Sequence, residues 1–338
     1  MIWARAEGCR VWDADGRAYL DLSGGFGVAA LGHRNPRIME AIASAPVAHA
    51  LGDLADAEVT AELRRALPWP SKLGVTGEDA AEIALRTALL ATGRSGIVAF
   101  DGAYHGTGLL ALAATDFERF REPFAAWLPG PVHRRRYGED PGRLPEDTAC
   151  VIVEPVQGRA GARVPPAEFL PVLRSRCDEV DALLVVDAIY CGLGRIGELW
   201  PGSAVADVLC IGKALGGGLP LSAALFVREG LEELWQLGAE DVYTHTHVGN
   251  PLACAAALVV LDEVPKLTAR VVEVGERLEG AGWHGAGLLR ARSGDVEEAE
   301  RRGVIVIPAG VDGALISATP PLTITDDELG LALERLAA

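Results

Sequence analysis

Bases are scarce in this 338-residue sequence: 31 lysines and arginines stand against 47 aspartates and glutamates, a formal charge of −16. A nucleic acid or an anionic membrane needs a basic face, so neither is expected as a partner. Apolar runs such as Leu183-Leu184-Val185-Val186 and Val304-Ile305-Val306-Ile307 have the length of core strands. They fall far short of the ~20 residues of a spanning helix. The six cysteines stand singly, and no pair has metal-ligand or redox spacing. Buried, reduced thiols and no metal site are the expectation. The opening residues, Met1 to Glu7, contain no apolar secretory core, which reads as a cytoplasmic protein. No linker, repeat or low-complexity segment interrupts the chain. With 49% hydrophobic and 23% charged residues, what remains is an ordinary globular composition with length for about two domains.

The stretch that stands out is Ile211-Gly212-Lys213-Ala214-Leu215-Gly216-Gly217-Gly218-Leu219-Pro220. A lysine sits between an apolar run and a glycine cluster that cannot be a helix interior. Alone, it reads as a solvated loop residue, because lysines are almost never fully buried. Delivered by a strand into a tight space, its amine would instead be neutral and nucleophilic. Two further apolar strands, Ala149 to Val153 and Ala182 to Val186, end in Glu154 and Asp187. Such runs are typical of parallel strands covered on both faces, whose functional groups gather at the carboxyl ends. Glu154, Asp187 and Lys213 all occupy such ends.

Other elements carry two readings each. Lys72 to Leu85 reads as a strand, a Thr76-Gly77 turn, and a helix with acids in its first turn. That N-terminus can hold a phosphate, or Thr76, Glu78 and Asp79 can simply cap the helix. Tyr104, beyond the strand Gly96 to Phe100, can stack on a flat cofactor or pack in a core. The glycines of Gly24-Gly25-Phe26-Gly27 are turn residues or sites of close ligand approach. Residues 46–67 read as Ala-rich helix, and the tail from Val271 as mixed helix and short strand.

In this order the elements resemble the class III (ω-type) aminotransferases, pyridoxal-phosphate enzymes of fold type I, from about Val11 to Leu329. The pieces are Asp15-Gly16-Arg17-Ala18-Tyr19-Leu20-Asp21, Leu31-Gly32-His33, Ala103-Tyr104-His105-Gly106, Glu154-Pro155-Val156-Gln157-Gly158, and Asp187 with Gly192-Leu193-Gly194-Arg195-Ile196-Gly197. The lysine stretch, Gly249-Asn250-Pro251 and Pro320-Pro321-Leu322 complete the set. The resemblance implies an α/β fold with a mainly parallel sheet flanked by helices in a large domain, 46–265. A small α+β domain would combine residues 1–45 and 266–338. It further implies a homodimeric transaminase that holds pyridoxal 5'-phosphate on Lys213 as an aldimine and passes through a pyridoxamine form. Asp187 would pair with the pyridinium nitrogen, and Tyr104 and Ile189 would cover the ring faces. Thr76, Gly77 and Glu78 would cup the phosphate, with Thr246 reaching that of a neighbouring subunit. His105, Glu154 and Tyr190 fall in the same cofactor set.

The departures concern what enters beside the cofactor. Glu78 stands where the family has Thr, Ser or Ala, so its carboxylate should turn away and leave only backbone to bind. Ala188, Ile189 and Tyr190 replace the common Glu, Val and Gln. A Glu after Gln-Gly and an Arg before Pro-Pro-Leu are replaced by Arg159 and Ser317, which with Phe26 form the expected substrate-side set. Arg159 would grip a substrate carboxylate, or else it is a solvated loop residue. The same lysine and aspartate also serve racemases, aminomutases and decarboxylases of this fold, and a non-catalytic binding homologue is a further alternative.

Overall fold

The structure is a computed structural model that describes residues 1–235 and 242–337. Strands β1 (Trp3–Glu7), β2 (Arg10–Asp13) and β3 (Ala18–Asp21) form an antiparallel meander. Its second turn is fixed by Asp13, whose carboxylate accepts from the N–H groups of Asp15 and Arg17, while Gly16 takes φ +83. Only glycine adopts that conformation without steric cost.

The central sheet contains β4 (Ser71–Gly74), β5 (Gly96–Phe100), β6 (Val132–Arg135), β7 (Thr148–Val153), β8 (Leu183–Asp187), β9 (Val208–Ile211) and β10 (Ser222–Phe226), in the order β4-β10-β9-β8-β7-β5-β6. Strands β9, β8, β7, β5 and β6 run parallel. Strand β10 alone is antiparallel to both neighbours. Every residue of β5, β7, β8, β9 and β10 is buried. Alternate residues point to opposite faces of a strand, and both faces are covered here. Ile97, Ile152, Val185 and Cys210 meet Ala80, Ile83 and Ala84 of the helix Gly77–Thr92. Val98, Val151, Val186 and Ile211 belong to the opposite core, with Leu173 and Val260 from the helices Phe169–Asp178 and Pro251–Glu263. Each such aliphatic side chain contributes about 1.5–3 kcal/mol when fully buried, and these side chains anchor the sheet that carries the site.

The C-terminal region adds β11 (His284–Ala286), β12 (Leu289–Ser293), β13 (Val304–Ile305), β14 (Ile307–Ala309) and β15 (Leu315–Ala318). Strand β13 pairs in parallel with β3 and so completes the N-terminal sheet. Strands β11, β12, β15 and β14 form a separate antiparallel sheet.

One expected element is shorter than its composition indicates. Residues 46–67 are α-helical only in Glu58–Ala66, after a single 3₁₀ turn at Gly52–Leu54. Gly52 takes φ +60, a left-handed step through which a right-handed helix does not continue. All six cysteines are buried and free. Among the described residues, no helix is long and apolar enough to cross a membrane.

Candidate active site

Four parallel strands deliver side chains to one cleft at their carboxyl ends. Beyond β5 come Tyr104 and His105, and beyond β7 come Glu154 and Arg159. Asp187 closes β8 and is followed by Ile189 and Tyr190, and Lys213 stands two residues past β9. The first turn of the helix Gly77–Thr92, with Thr76, closes the cleft from the side. The cavity encloses about 350 Å³, within the range of small-molecule sites.

Asp187 is held from both oxygens. Its Oδ2 lies 2.7 Å from Nδ1 of His105, and its Oδ1 accepts from the Ile189 N–H at 3.1 Å. The His105 N–H in turn donates to the Thr115 hydroxyl at 2.9 Å, while Nε2 is buried without a partner among the described residues. Glu154 accepts from the Tyr104 N–H at 3.1 Å. Burial, with the nearby charge of Asp187 second, holds its carboxyl well above the usual carboxylate range.

Lys213 takes φ +37, left-handed backbone for a side chain that ordinarily avoids it. Burial pushes its amine below the ordinary lysine value, against the opposing pull of Asp187 and Glu154. Its Nζ lies 4.2 Å from the centroid of the Tyr190 ring. That ring passes between two glycines: a Cβ on Gly158 would lie 2.4 Å from its Cδ1, and one on Gly27 3.1 Å from its Cε2. Burial raises the Tyr190 phenol as well.

The residues fit pyridoxal phosphate. The first N–H groups of a helix lack intrahelical partners and favour an anion, and Gly77 and Glu78 supply them here. A Cβ at Gly77 would stand 2.9 Å from Cγ2 of Ile189, so a bare backbone is what lets Ile189 approach that turn. The unpartnered Nε2 of His105 and the amine with a depressed pKa line the same cavity. The Glu78 carboxylate is turned out of the cup and accepts from the Thr107 N–H and hydroxyl, each at 2.9 Å, and from the Gly108 N–H at 3.2 Å. Its charge still acts on a phosphate, by about 1 kcal/mol at 4 Å even in bulk water. Glu78→Gln keeps an acceptor for Thr107 and removes the charge. It should therefore tighten cofactor binding by up to about fivefold in spectral titration of the apoprotein; weaker binding would refute this.

Three expected site residues do not line the cleft of their own chain, which for Thr246 accords with the expected reach to a neighbouring subunit. Phe26, at φ +61, is 51% exposed and does not line the cleft. Ser317 lies on β15, buried, with its hydroxyl donating to the Arg290 carbonyl at 3.0 Å. Thr246 is exposed and outside the cleft of its own chain. Phe117 and Phe120, which with Tyr104 surround the Arg159 guanidinium, are barely marked in the sequence. Their spacing of three, one helical turn, was the available signal. Arg195 is a further residue whose place the sequence does not mark. This arginine is 2% exposed, donates to the carbonyls of Pro320 and Gly27, and is lowered by burial to about 10.

Residues 1–281 match the family description "Aminotransferase class-III". The chain is 36% identical to the acetylornithine aminotransferase of Methanopyrus kandleri, covering 98% of this chain and 92% of that protein. It is 32% identical to the putrescine aminotransferase of Pectobacterium atrosepticum, covering 95% and 78%. Among solved structures, it resembles an amine transaminase from an uncultivated Pseudomonas species in its PLP-bound form. That match has a TM-score of 0.87 and 28% identity, and covers 100% of this chain and 94% of the other.

Proposed function

The chain belongs to the class-III aminotransferases, fold type I enzymes that use pyridoxal phosphate to move an amino group between a donor and a carbonyl acceptor, and we propose that Lys213 and Asp187 carry that chemistry here. The observation behind this is their convergence from neighbouring strands: a half-buried lysine with a depressed pKa faces the same cavity as a doubly held carboxylate. The bound cofactor supplies an electron sink for the bonds at the substrate's amino carbon. Lys213 would anchor it and, when freed, would take a proton from that carbon and return one. Asp187, oriented by His105, would hold the proton of the ring nitrogen. Tyr104 and Ile189 would flank the ring, Tyr190 would donate to its phenolic oxygen, and the turn at Thr76, Gly77 and Glu78 would bind the phosphate. Glu154, through the Tyr104 N–H, sets the height of the stacking residue.

The relatives' names point to donors with a primary amine at the end of a flexible chain: acetylornithine, putrescine and 5-aminovalerate. A donor of that kind is the reading for this chain. The active unit is a homodimer in which Thr246 of one copy reaches the phosphate site of the other, which fits its exposure outside its own cleft. Residues 1–45 and 266–338 form the small domain and 46–265 the large one, supported by the pairing of β13 with β3. A cytoplasmic location fits six unbridged thiols.

The test is a half-reaction. Holoenzyme mixed with amino donor alone should release close to one carbonyl product per active site and stop until acceptor is added. Continuous turnover without acceptor, or product that keeps its amino group, would favour a racemase, aminomutase or decarboxylase.

A further inference from the structure

The cleft contains one cation that amino transfer, as described, does not use. Arg159 follows Gly158 in the loop after β7, and its guanidinium carbon lies 4.5 Å from the ring centroid of Tyr104, 5.1 Å from Phe120 and 5.8 Å from Phe117. Three rings hold the head in place by cation–π attraction. No carboxylate pairs with it among the described residues, and its Nε is buried without a hydrogen bond. The acids of the cleft are all engaged: Glu78 with Thr107, Glu154 with the Tyr104 N–H, and Asp187 with His105. A half-buried guanidinium packed on three rings, with no carboxylate partner among the described residues, favours an anion, and a planar carboxylate matches its donors two at a time. Ser317, outside the cleft, contributes no charge and spends its hydroxyl on the Arg290 carbonyl.

We infer that Arg159 is the specificity-determining residue of this site, binding a carboxylate of the substrate and so favouring amino and keto acids over simple amines and aldehydes. The inference rests on the transaminase reading above. The cofactor phosphate is the other anion within the cleft. It is served by the helix end at Gly77, whereas Arg159 sits on the rings around Tyr104.

The experiment compares matched substrates in holoenzyme: 5-aminovalerate against pentylamine as donors, and pyruvate against propanal as acceptors. In Arg159→Ala, the ratio of kcat/KM for the carboxylate member over the neutral member should fall about 10- to 100-fold in at least one pair. Arg159→Lys keeps the charge without the fork and should fall part of the way. Independently of turnover, the Kd of valerate for the holoenzyme, read by calorimetry, should rise in Arg159→Ala by a similar factor. Unchanged ratios with an unchanged valerate Kd overturn the inference, as does a wild type that prefers the neutral member of both pairs. A comparable loss of affinity for pyridoxal phosphate itself would assign Arg159 to the phosphate and overturn it too. If valerate binding depends on Arg159 while no donor yields carbonyl product, the transaminase reading fails and the anion site stands.

Discussion

Lys213→Ala should reduce amino transfer by about 10⁴-fold or more, because the proposed mechanism makes one side chain both nucleophilic anchor and proton carrier. The cofactor should still bind through the phosphate cup and the Asp187 contact. Treatment with borohydride should no longer fix it to the chain, as it does in wild type, and a covalently labelled Lys213→Ala protein would refute the assignment. The depressed amine pKa has a second consequence. Only the neutral amine attacks a carbonyl, so cofactor capture by the apoprotein should accelerate as pH rises, with a midpoint below the ordinary 10.5 of lysine. The backbone gives a third. At φ +37, position 213 favours glycine, and a non-glycine residue in such a conformation costs of order 1 kcal/mol. Lys213→Gly apoprotein should thus denature at a concentration of denaturant no lower than wild type. Inactivity without destabilisation would identify a residue retained for chemistry and not for the fold.

What the sequence disclosed and what it hid follow from the range of the interactions. Strands β7, β8 and β9 were legible as continuous apolar runs because the sheet is covered on both faces. The reversal of β10 was not, since the side-chain pattern of a strand is the same in either direction. Lys213 and Asp187 could be picked out because a polar residue at the end of an apolar strand breaks a local pattern. His105 carried no such mark. Its partner Asp187 lies 82 positions away, and their contact exists only because β5 and β8 flank β7 in the sheet. The aromatic surround of Arg159 was hidden for the same reason: Tyr104 and Phe117 both precede strands β6 and β7, and the arginine follows them. Ser317 shows the converse. Its position near Pro320 suggested a place beside the substrate, but the pairing of β15 with β12 turns its hydroxyl to the Arg290 carbonyl.

Asp187→Asn should be the second most damaging change, and its signature should differ from that of Lys213→Ala. The carboxylate is 4% exposed, receives the Ile189 N–H on one oxygen and meets His105 on the other. An asparagine can keep both contacts in shape, so folding and cofactor retention should survive. What is lost is the negative charge that the proposed mechanism sets against the ring nitrogen. Removing one partner of a buried charge pair costs about 3–5 kcal/mol, which corresponds to a fall in kcat of about 150- to 5,000-fold. Asp187→Glu restores the charge with a longer arm and should recover part of the rate. His105→Phe leaves the charge but removes the group that orients it, and should cost less than Asp187→Asn while changing the pH dependence of kcat. Borohydride should still fix the cofactor in all three variants, since Lys213 is intact. If Asp187→Asn instead released the cofactor with little change in kcat at saturating cofactor, Asp187 would be an anchor for binding and not the holder of the ring proton.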